Sequence, residues 1–433
     1  MKMQISVKTC GAVGDGLTDD TAAVRRAIAA CAAAGGGDVV FDNGRYLCGA
    51  LPLLDGVHLA IGRGAVVKAS PRLADFDRLP LPSCDVGERL GFIYAIGRRD
   101  VGITGEGTID LSGGAFFRGA GRMPFPGQQE PLTAAQAAEA TLAVMPRLNQ
   151  PILFYDCENV RLTDVRIVDS PCWTATVSLC RRVTVRGVTI DNSLIIPNSD
   201  GMGFTLSEDV TVSDCVISCA DDCLTFCGTK RAAVQNCILR SRSSAVRIGY
   251  IAGETRQLVL QNLVIHDSNR AFIFQGSRGS QIRDVLISGV NMHTRLFHGA
   301  WWGQGEPLTM VTSGDGSICG VTVAEVRAVC AHGIALYAHE PGRIADVTLH
   351  DWTLTVTGEG SRPDTAFLDF RDEKTVPLPP ARMPWGYAEG VTGLTVRNMD
   401  VRAADEAEVW DISPIWDISH TATQQEDTAW QER

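Results

Sequence analysis

Positive charge is scarce in this chain. Its 433 residues include 39 Lys and Arg against 50 Asp and Glu, which gives a formal net charge of −11. Nucleic acids and anionic membranes attract basic protein surfaces. We therefore expect neither a nucleic acid nor a membrane as a partner. A polyanionic polymer could be a substrate only where a local basic pocket offsets this average.

Long apolar runs are missing as well. No stretch of about 18 apolar residues is available to span a bilayer. The first residues lead almost directly into the glycine-rich segment 11–16, without the apolar region of a signal peptide. We expect a cytoplasmic protein, in which the 14 cysteines are reduced, buried thiols rather than disulfides.

Four of the cysteines are spaced evenly, at Cys215, Cys219, Cys223 and Cys227. Structural zinc sites usually pair their ligands two to four residues apart and separate the pairs by a longer loop. This segment instead has the pattern of strands and turns. We interpret the four cysteines as small core residues rather than as zinc ligands.

Residues 19–34 have the clearest helical signal. Asp19, Asp20 and Thr21 can cap the N-terminus, alanine dominates the segment, and the glycines at 35–37 end it. We predict one short α-helix there.

Short runs rich in Val, Ile and Thr recur along the rest of the chain, separated by Asp, Asn, Ser and Gly. Five aligned apolar positions step by 23, 27, 24 and 24 residues; they are Val160, Val183, Val210, Val234 and Leu258. A period of 20 to 30 residues built from short strands is typical of a stacked solenoid. An immunoglobulin-like sandwich would not repeat one unit so regularly. The alternative that stays open is an irregular all-β domain.

Two segments interrupt the repeat, and we predict loop insertions there. Residues 117–146 contain Pro, Gly and Gln followed by an alanine-rich stretch, and residues 291–307 contain a tryptophan pair. We expect one β-solenoid domain over residues 1–405. Residues 406–433 form an acidic tail with tryptophans, which could be a cap, an oligomer contact or partly disordered.

Three aspartates are the strongest functional signal. Asp200 lies in Asn198-Ser199-Asp200-Gly201, and Asp221 and Asp222 follow 21 residues later, close to one turn of the solenoid. This spacing would bring the carboxylates together on neighbouring rungs. Clustered carboxylates raise one another's pKa and are typical of an acid–base pair or a metal site. Turn chemistry would explain Asp200 alone, and calcium is the main rival for all three.

Several motifs in order resemble glycoside hydrolase family 28, the polygalacturonase family, within the pectate-lyase-like superfamily. These motifs lie at residues 10–21, 101–110, 170–173, 198–201 and 221–223. The resemblance covers roughly residues 8–400. It implies an all-β fold, a single-stranded right-handed parallel β-helix with the short α-helix as its N-terminal cap.

The resemblance also implies roles for the aspartates in an inverting glycoside hydrolase. Asp221 would be the general acid, and Asp200 and Asp222 would hold and activate the water. Asn198 could orient Asp200 or only form the turn. The three carboxylates would titrate together. No metal and no organic cofactor is implied.

Two motifs of the family are missing. Ser243-Ser244-Ala245 stands where Gly-His-Gly is expected, and the expected Arg-x-Lys falls near Phe272 and Phe274. Phenylalanine cannot replace an arginine–carboxylate fork. We therefore predict a neutral or deoxy sugar at the cleavage site. In the alternative, Arg247 and Arg270 rebuild a cationic pocket and the protein is a galacturonate-specific exo-polygalacturonase.

Four more residues are candidates for substrate binding. Trp301 and Trp302 could stack on sugar faces or pack within their loop. Glu306 could bond sugar hydroxyls or pair with an arginine. Ser244, at the position of the family histidine, could contact substrate or only fill space.

Together these observations predict an exo-acting glycosidase that cleaves intracellular oligosaccharides derived from pectin in cell-wall breakdown. Its partner is the oligosaccharide, and a homo-oligomer is possible. Two other classes stay open. One is a lyase or transferase on the same scaffold, and the other is a non-catalytic carbohydrate-binding β-helix.

Overall fold

The computed structural model describes residues 3–123, 133–297, 303–358, 367–368, 376–377, 385–404, 415–416, 423–426 and 429–431. The chain divides into two compact units. Unit 1 comprises Met1–Arg122 and Leu142–Asp221, and unit 2 comprises Met123–Thr141 and Asp222–Arg433.

The predicted N-terminal helix is confirmed and spans Thr21–Ala33. Its buried residues recur every three or four positions, as expected for one apolar face; they are Ala23, Val24, Ala27, Ile28 and Cys31. The helix ends because Gly35 and Gly36 adopt positive φ angles of 91° and 98°. Shorter helical segments are Val7–Cys10, Leu73–Asp75 and Gly113–Phe116 in unit 1, and Ala134–Glu139 in unit 2.

The strands of unit 1 are short and mostly parallel. They span Met3–Ser6, Asp15–Asp19, Gly37–Phe41, Gly44–Cys48, Leu51–Pro52, Val57–Ile61, Ala65–Ala69, Asp77–Arg78, Leu90–Ile96, Arg99–Thr104, Thr108–Asp110, Gln150–Tyr155, Glu158–Thr163, Arg166–Val168, Ala175–Ser178, Arg181–Arg186, Thr189–Asp191, Met202–Thr205, Glu208–Ser213 and Val216–Cys219. Val160 pairs with Val183, and Val183 pairs with Val210, as the repeat predicts. All three are buried, so the alternation of side chains stacks an apolar column inside the coil.

The strands of unit 2 are also mostly parallel, and five of them are longer, with 13 to 16 residues. They span Leu224–Cys227, Lys230–Gln235, Ile238–Ser241, Ser244–Gly249, Gly253–Ser268, Arg270–Gly276, Ser280–Thr294, Glu306–Thr312, Ser317–Cys330, Ile334–Ala338, Ile344–Val356, Phe367–Leu368, Val376–Pro377, Gly386–Glu389, Val391–Ala403, Ile415–Trp416, Thr423–Glu426 and Ala429–Gln431. Here the alignment of Val234 with Leu258 is wrong by two residues, because Val234 pairs with Leu260. Leu258 and Leu260 both face inward, and a shift of two residues preserves that alternation.

The predicted fold class, an all-β right-handed parallel β-helix, is confirmed. Of the predicted insertions, residues 124–132 and 298–302 lie outside the described residues, as does most of the tail. The division into a domain at 1–405 and a tail stays a prediction. Among the described residues, no helix has the length and apolarity needed to cross a membrane.

Candidate active site

Two of the three predicted catalytic aspartates lie together in unit 1. Asp200 precedes the strand Met202–Thr205, and Asp221 follows the strand Val216–Cys219. A carboxylate oxygen of Asp200 lies within 4.8 Å of one of Asp221, and both side chains are partly exposed. Asp222 is the next residue in the chain and belongs to unit 2. The catalytic roles of the three stay predictions.

A buried hydrogen-bond network holds the turn that presents Asp200. The side-chain amide of Asn192 donates to Thr174 Oγ1 at 2.8 Å and to the carbonyl of Ser199 at 3.4 Å. Thr174 Oγ1 in turn donates to the carbonyl of Asp200. Asn198 adopts a left-handed φ of 56°, which asparagine tolerates better than most residues. Asp200 is thus held in place through its main chain.

The same turn also positions Asp221. The main-chain N–H of Ala220 donates to Ser199 Oγ at 3.3 Å. Because Ser199 and Ala220 each precede one of the two aspartates, this hydrogen bond connects the two turns.

Arg147 is a residue of the site that the sequence reasoning missed. Its Nη2 donates to Asn198 Oδ1 at 2.7 Å, and Asn198 Nδ2 lies 3.5 Å from Asp221 Oδ2. The guanidinium is buried, with its carbon 5.6 Å from the centre of the Phe117 ring. The side-chain amide of Asn198 therefore links the Arg147 guanidinium to Asp221. The sequence offers one signal for Arg147, which is its place directly after the predicted insertion 117–146.

Asp222 has a different environment in unit 2. Its side chain is only 4% exposed, and Arg247 Nε donates to its Oδ2. Arg247 Nη2 lies 3.4 Å from Oδ1. Oδ1 also accepts from Ser243 Oγ at 3.0 Å and from the main-chain N–H of Ser244 at 3.2 Å. The carboxylate thus forms a buried, two-point ion pair with additional donors.

The other predicted substrate-binding residues of unit 2 form a buried column. Ser244, Arg270 and Glu306 pair on successive rungs, and all three are buried. Arg270 Nε donates to Ser244 Oγ at 3.0 Å, and Glu306 Oε2 accepts from the main-chain N–H of Gln304 at 2.6 Å. Their predicted contact with substrate stays a prediction. Trp301 and Trp302 lie outside the described residues.

Comparison with known families supplies the context for this geometry. The family described as "Glycosyl hydrolases family 28" matches residues 88–271, and the family described as "Rhamnogalacturonase A/epimerase, pectate lyase-like" matches residues 4–71. The resemblance to glycoside hydrolase family 28 is confirmed.

A related protein agrees with the family match. "Probable polygalacturonase" of Vitis vinifera is 25% identical over 323 residues, which cover 68% of this chain and 62% of that protein. The chain thus spans less than two thirds of this relative's length. The predicted class, a glycoside hydrolase of the polygalacturonase-like family, agrees with both findings.

Two solved structures share the fold. The exopolygalacturonase from Thermotoga maritima has a TM-score of 0.59 at 18% identity and covers 98% of this chain and 91% of its own. The family 28 exopolygalacturonase of Yersinia enterocolitica has a TM-score of 0.62 at 16% identity and covers 99% of this chain and 78% of its own.

This chain departs from the family 28 pattern at two aromatic residues. Phe272 and Phe274 occupy the strand Arg270–Gly276, where the Arg-x-Lys motif is expected, and neither has any exposed surface. Both rings belong to the core of unit 2, so this strand presents no cation at these two positions.

A cation cluster surrounds Phe297 in unit 2. The guanidinium carbons of Arg242 and Arg295 lie 3.7 and 3.6 Å from the centre of its ring, so they must occupy opposite faces. Glu139, at the end of the helix Ala134–Glu139, pairs with Arg295 at 3.2 Å. Burial lowers the pKa of Arg242 to about 10; Glu139 opposes this shift, and the charge of Arg295 adds to it.

Proposed function

We propose that the protein is an inverting glycoside hydrolase that acts on oligosaccharides derived from pectin. The observation that supports this most directly is the proximity of Asp200 and Asp221 on two hydrogen-bonded turns, in a chain that resembles family 28. Glycosidases of this kind need one carboxylic acid and one carboxylate at the scissile bond.

In the proposed mechanism, Asp221 donates its proton to the glycosidic oxygen while the bond from that oxygen to the anomeric carbon breaks. Water attacks the anomeric carbon from the opposite face, and its proton passes to Asp200 or Asp222. The products are a sugar with a new reducing end and the alcohol of the leaving group. Proton exchange with solvent then restores Asp221 as the acid.

We propose that the sugar at the cleavage site is neutral or deoxy. Phe272 and Phe274 are buried, and the two arginines that could replace the missing motif are 3% and 0% exposed at Arg247 and Arg270. Their partners include Asp222 for Arg247 and Ser244 for Arg270. These contacts favour the neutral sugar over a relocated uronate pocket.

We also propose an exo mode and a cytoplasmic location. The exo mode is supported by the two exopolygalacturonases of the same fold. The location rests on the sequence alone, and fractionation of cells that express the untagged protein tests it. A cytoplasmic enzyme would act on imported oligosaccharides rather than on the polymer.

A product assay tests the proposed function. The purified protein is incubated with pectic, rhamnosyl, fructosyl and glucosyl oligosaccharides, with and without a chelator. New reducing ends that are insensitive to the chelator and absent with Asp221→Asn support hydrolysis. An unsaturated, ultraviolet-absorbing product, or dependence on calcium, indicates a lyase instead. Binding without product release indicates a carbohydrate-binding protein.

A further inference from the structure

Arg247 is buried against Asp222 and is held there from more than one side. Its side chain is 3% exposed, and Nη1 donates to Oε1 of the buried Gln275. The guanidinium carbon also lies 5.7 Å from the centre of the Tyr250 ring. Every residue of the strand Ser244–Gly249 is buried. The guanidinium therefore has one orientation, with its fork directed at the carboxylate.

The carboxylate of Asp222 receives donors at both oxygens. Arg247 donates to Oδ2, and Oδ1 accepts from Ser243 Oγ and Ser244 N. An ionised carboxylate offers about four lone-pair sites to such donors. Donors of this number favour the charged form, and an adjacent guanidinium favours it further. These donors favour an ionised Asp222 and occupy the lone pairs that would otherwise accept a proton.

We propose that Arg247 is a positioning residue that keeps Asp222 ionised and immobile, so that Asp222 acts as a fixed charge and proton transfer is left to Asp200 and Asp221. This inference rests on the proposed hydrolase function. In hydrolysis, the proton of Asp221 passes to the leaving oxygen, and the proton of the attacking water passes to Asp200. Among the described residues of unit 2, the charged groups near Asp222 include Arg247 and, beyond Ser244, Arg270; Asp221 is next in the chain.

Four variants test the proposal through kcat, KM and the pH–rate profile. Arg247→Met should lower kcat about 10- to 100-fold and move the acid limb to higher pH, because an uncompensated buried carboxylate takes up a proton. Arg247→Lys should keep the acid limb near its wild-type position, because the charge is retained without the fork. KM should change less than about twofold in this proposal, because a buried Arg247 that acts through Asp222 would not contact substrate. Asp222→Asn/Arg247→Met should be no slower than Asp222→Asn alone, because Arg247 acts through Asp222.

The matched control is Arg283→Met, which removes a half-exposed arginine paired with Glu254 in the same unit. It should leave the profile unchanged. If Arg247→Met does not fold, Gln275→Leu removes the hydrogen bond from Arg247 Nη1 to Gln275 Oε1. It should move the acid limb to higher pH, by a smaller amount than Arg247→Met. An acid limb that stays at the wild-type pH in the folded Arg247→Met or Gln275→Leu variant overturns the proposal. So does a double variant slower than Asp222→Asn.

Chemical unfolding separates this inference from the proposed function, because it needs no turnover. The stability lost in Arg247→Met should be large at pH 7 and shrink as Asp222 is protonated toward pH 3, whereas the loss in Arg283→Met should change little. A loss that is independent of pH overturns the ion-pair role even in an active enzyme. The pH-dependent loss in Arg247→Met, together with a wild-type protein that releases no product, overturns the proposed function. In that case only the catalytic part of this inference falls with it.

Discussion

Asn198 Nδ2 lies 3.5 Å from Oδ2 of Asp221, and the same amide accepts a hydrogen bond from Arg147. At this length the contact with Asp221 is weak. A negative charge on Asp200, within 4.8 Å, would repel one on Asp221 by about 3 kcal/mol at an effective dielectric constant of 20. Repulsion of this size would favour a pair that holds one proton. This is the state that the proposed acid role requires.

Asp221→Asn should lower kcat about 100-fold or more, because it removes the group that protonates the leaving oxygen. Initial rates on the best substrate of the oligosaccharide panel measure the effect. Asp85→Asn, at an exposed position, is the control and should retain wild-type turnover. Near-normal turnover of Asp221→Asn would exclude the assigned role.

Ser199→Ala should lower kcat about tenfold and destabilise the protein by about 1–3 kcal/mol, because it leaves the N–H of Ala220 without its acceptor beside Asp221. Ser207→Ala removes a similar buried acceptor, that of the Cys180 N–H at 3.1 Å, on another part of unit 1. We expect a similar stability loss from both variants, measured by urea unfolding, and a loss of kcat from Ser199→Ala only. Equal kcat values for the two variants would show that the bond does not position the aspartates.

Phe274→Lys should not restore uronate binding. It should destabilise the protein by at least about 3 kcal/mol, because Phe274 has no exposed surface and the ammonium would be buried. Val264→Lys, at a residue that is 45% exposed on the preceding strand Gly253–Ser268, should change stability little. Urea unfolding and galacturonate titration measure both effects. A stable Phe274→Lys variant that binds galacturonate would contradict the placement of this ring in the core.

Asp267→Asn should destabilise the protein at pH 7 and much less at low pH. Burial raises the pKa of Asp267, but hydrogen bonds from Arg295 and Arg240 outweigh burial and hold the pKa below its usual value. A lowered carboxyl pKa contributes stability above the unfolded-state pKa of about 3.9 and loses it as pH falls through the folded-state value. We expect a loss of about 1–3 kcal/mol at pH 7. Unfolding at several pH values measures this loss, with Asp85→Asn as control. A stability difference between wild type and Asp267→Asn that is the same at every pH would contradict the pairing of Asp267 with Arg240 and Arg295.

The product released first should have the inverted anomeric configuration. Proton NMR of a fresh digest resolves the two anomers before mutarotation mixes them. Retention would indicate a covalent glycosyl-enzyme intermediate and would contradict the proposed single displacement by water.

Much of the fold could be predicted from the sequence, because the signals are local and repeated. The cap residues and alanines of the helix Thr21–Ala33 are adjacent in the chain, and the inward residues Val160, Val183 and Val210 recur once per coil. The sequence did not specify the strand register at Val234, which pairs with Leu260 instead of the predicted Leu258. A shift of two residues keeps every side chain on the same face, so the apolar pattern fits both registers.

The sequence by itself determined the coil period, the helix and the placement of Asp200 and Asp221 on turns that meet. Only the tertiary structure decided which polar side chains are covered and which partners they have. Arg247 and Arg270 are buried against Asp222 and Ser244, and Arg147 reaches Asn198 from 51 positions away. The physical reason is that alternation along a strand specifies the direction of a side chain. Burial and ion pairing depend on the neighbouring rungs and loops that pack over it.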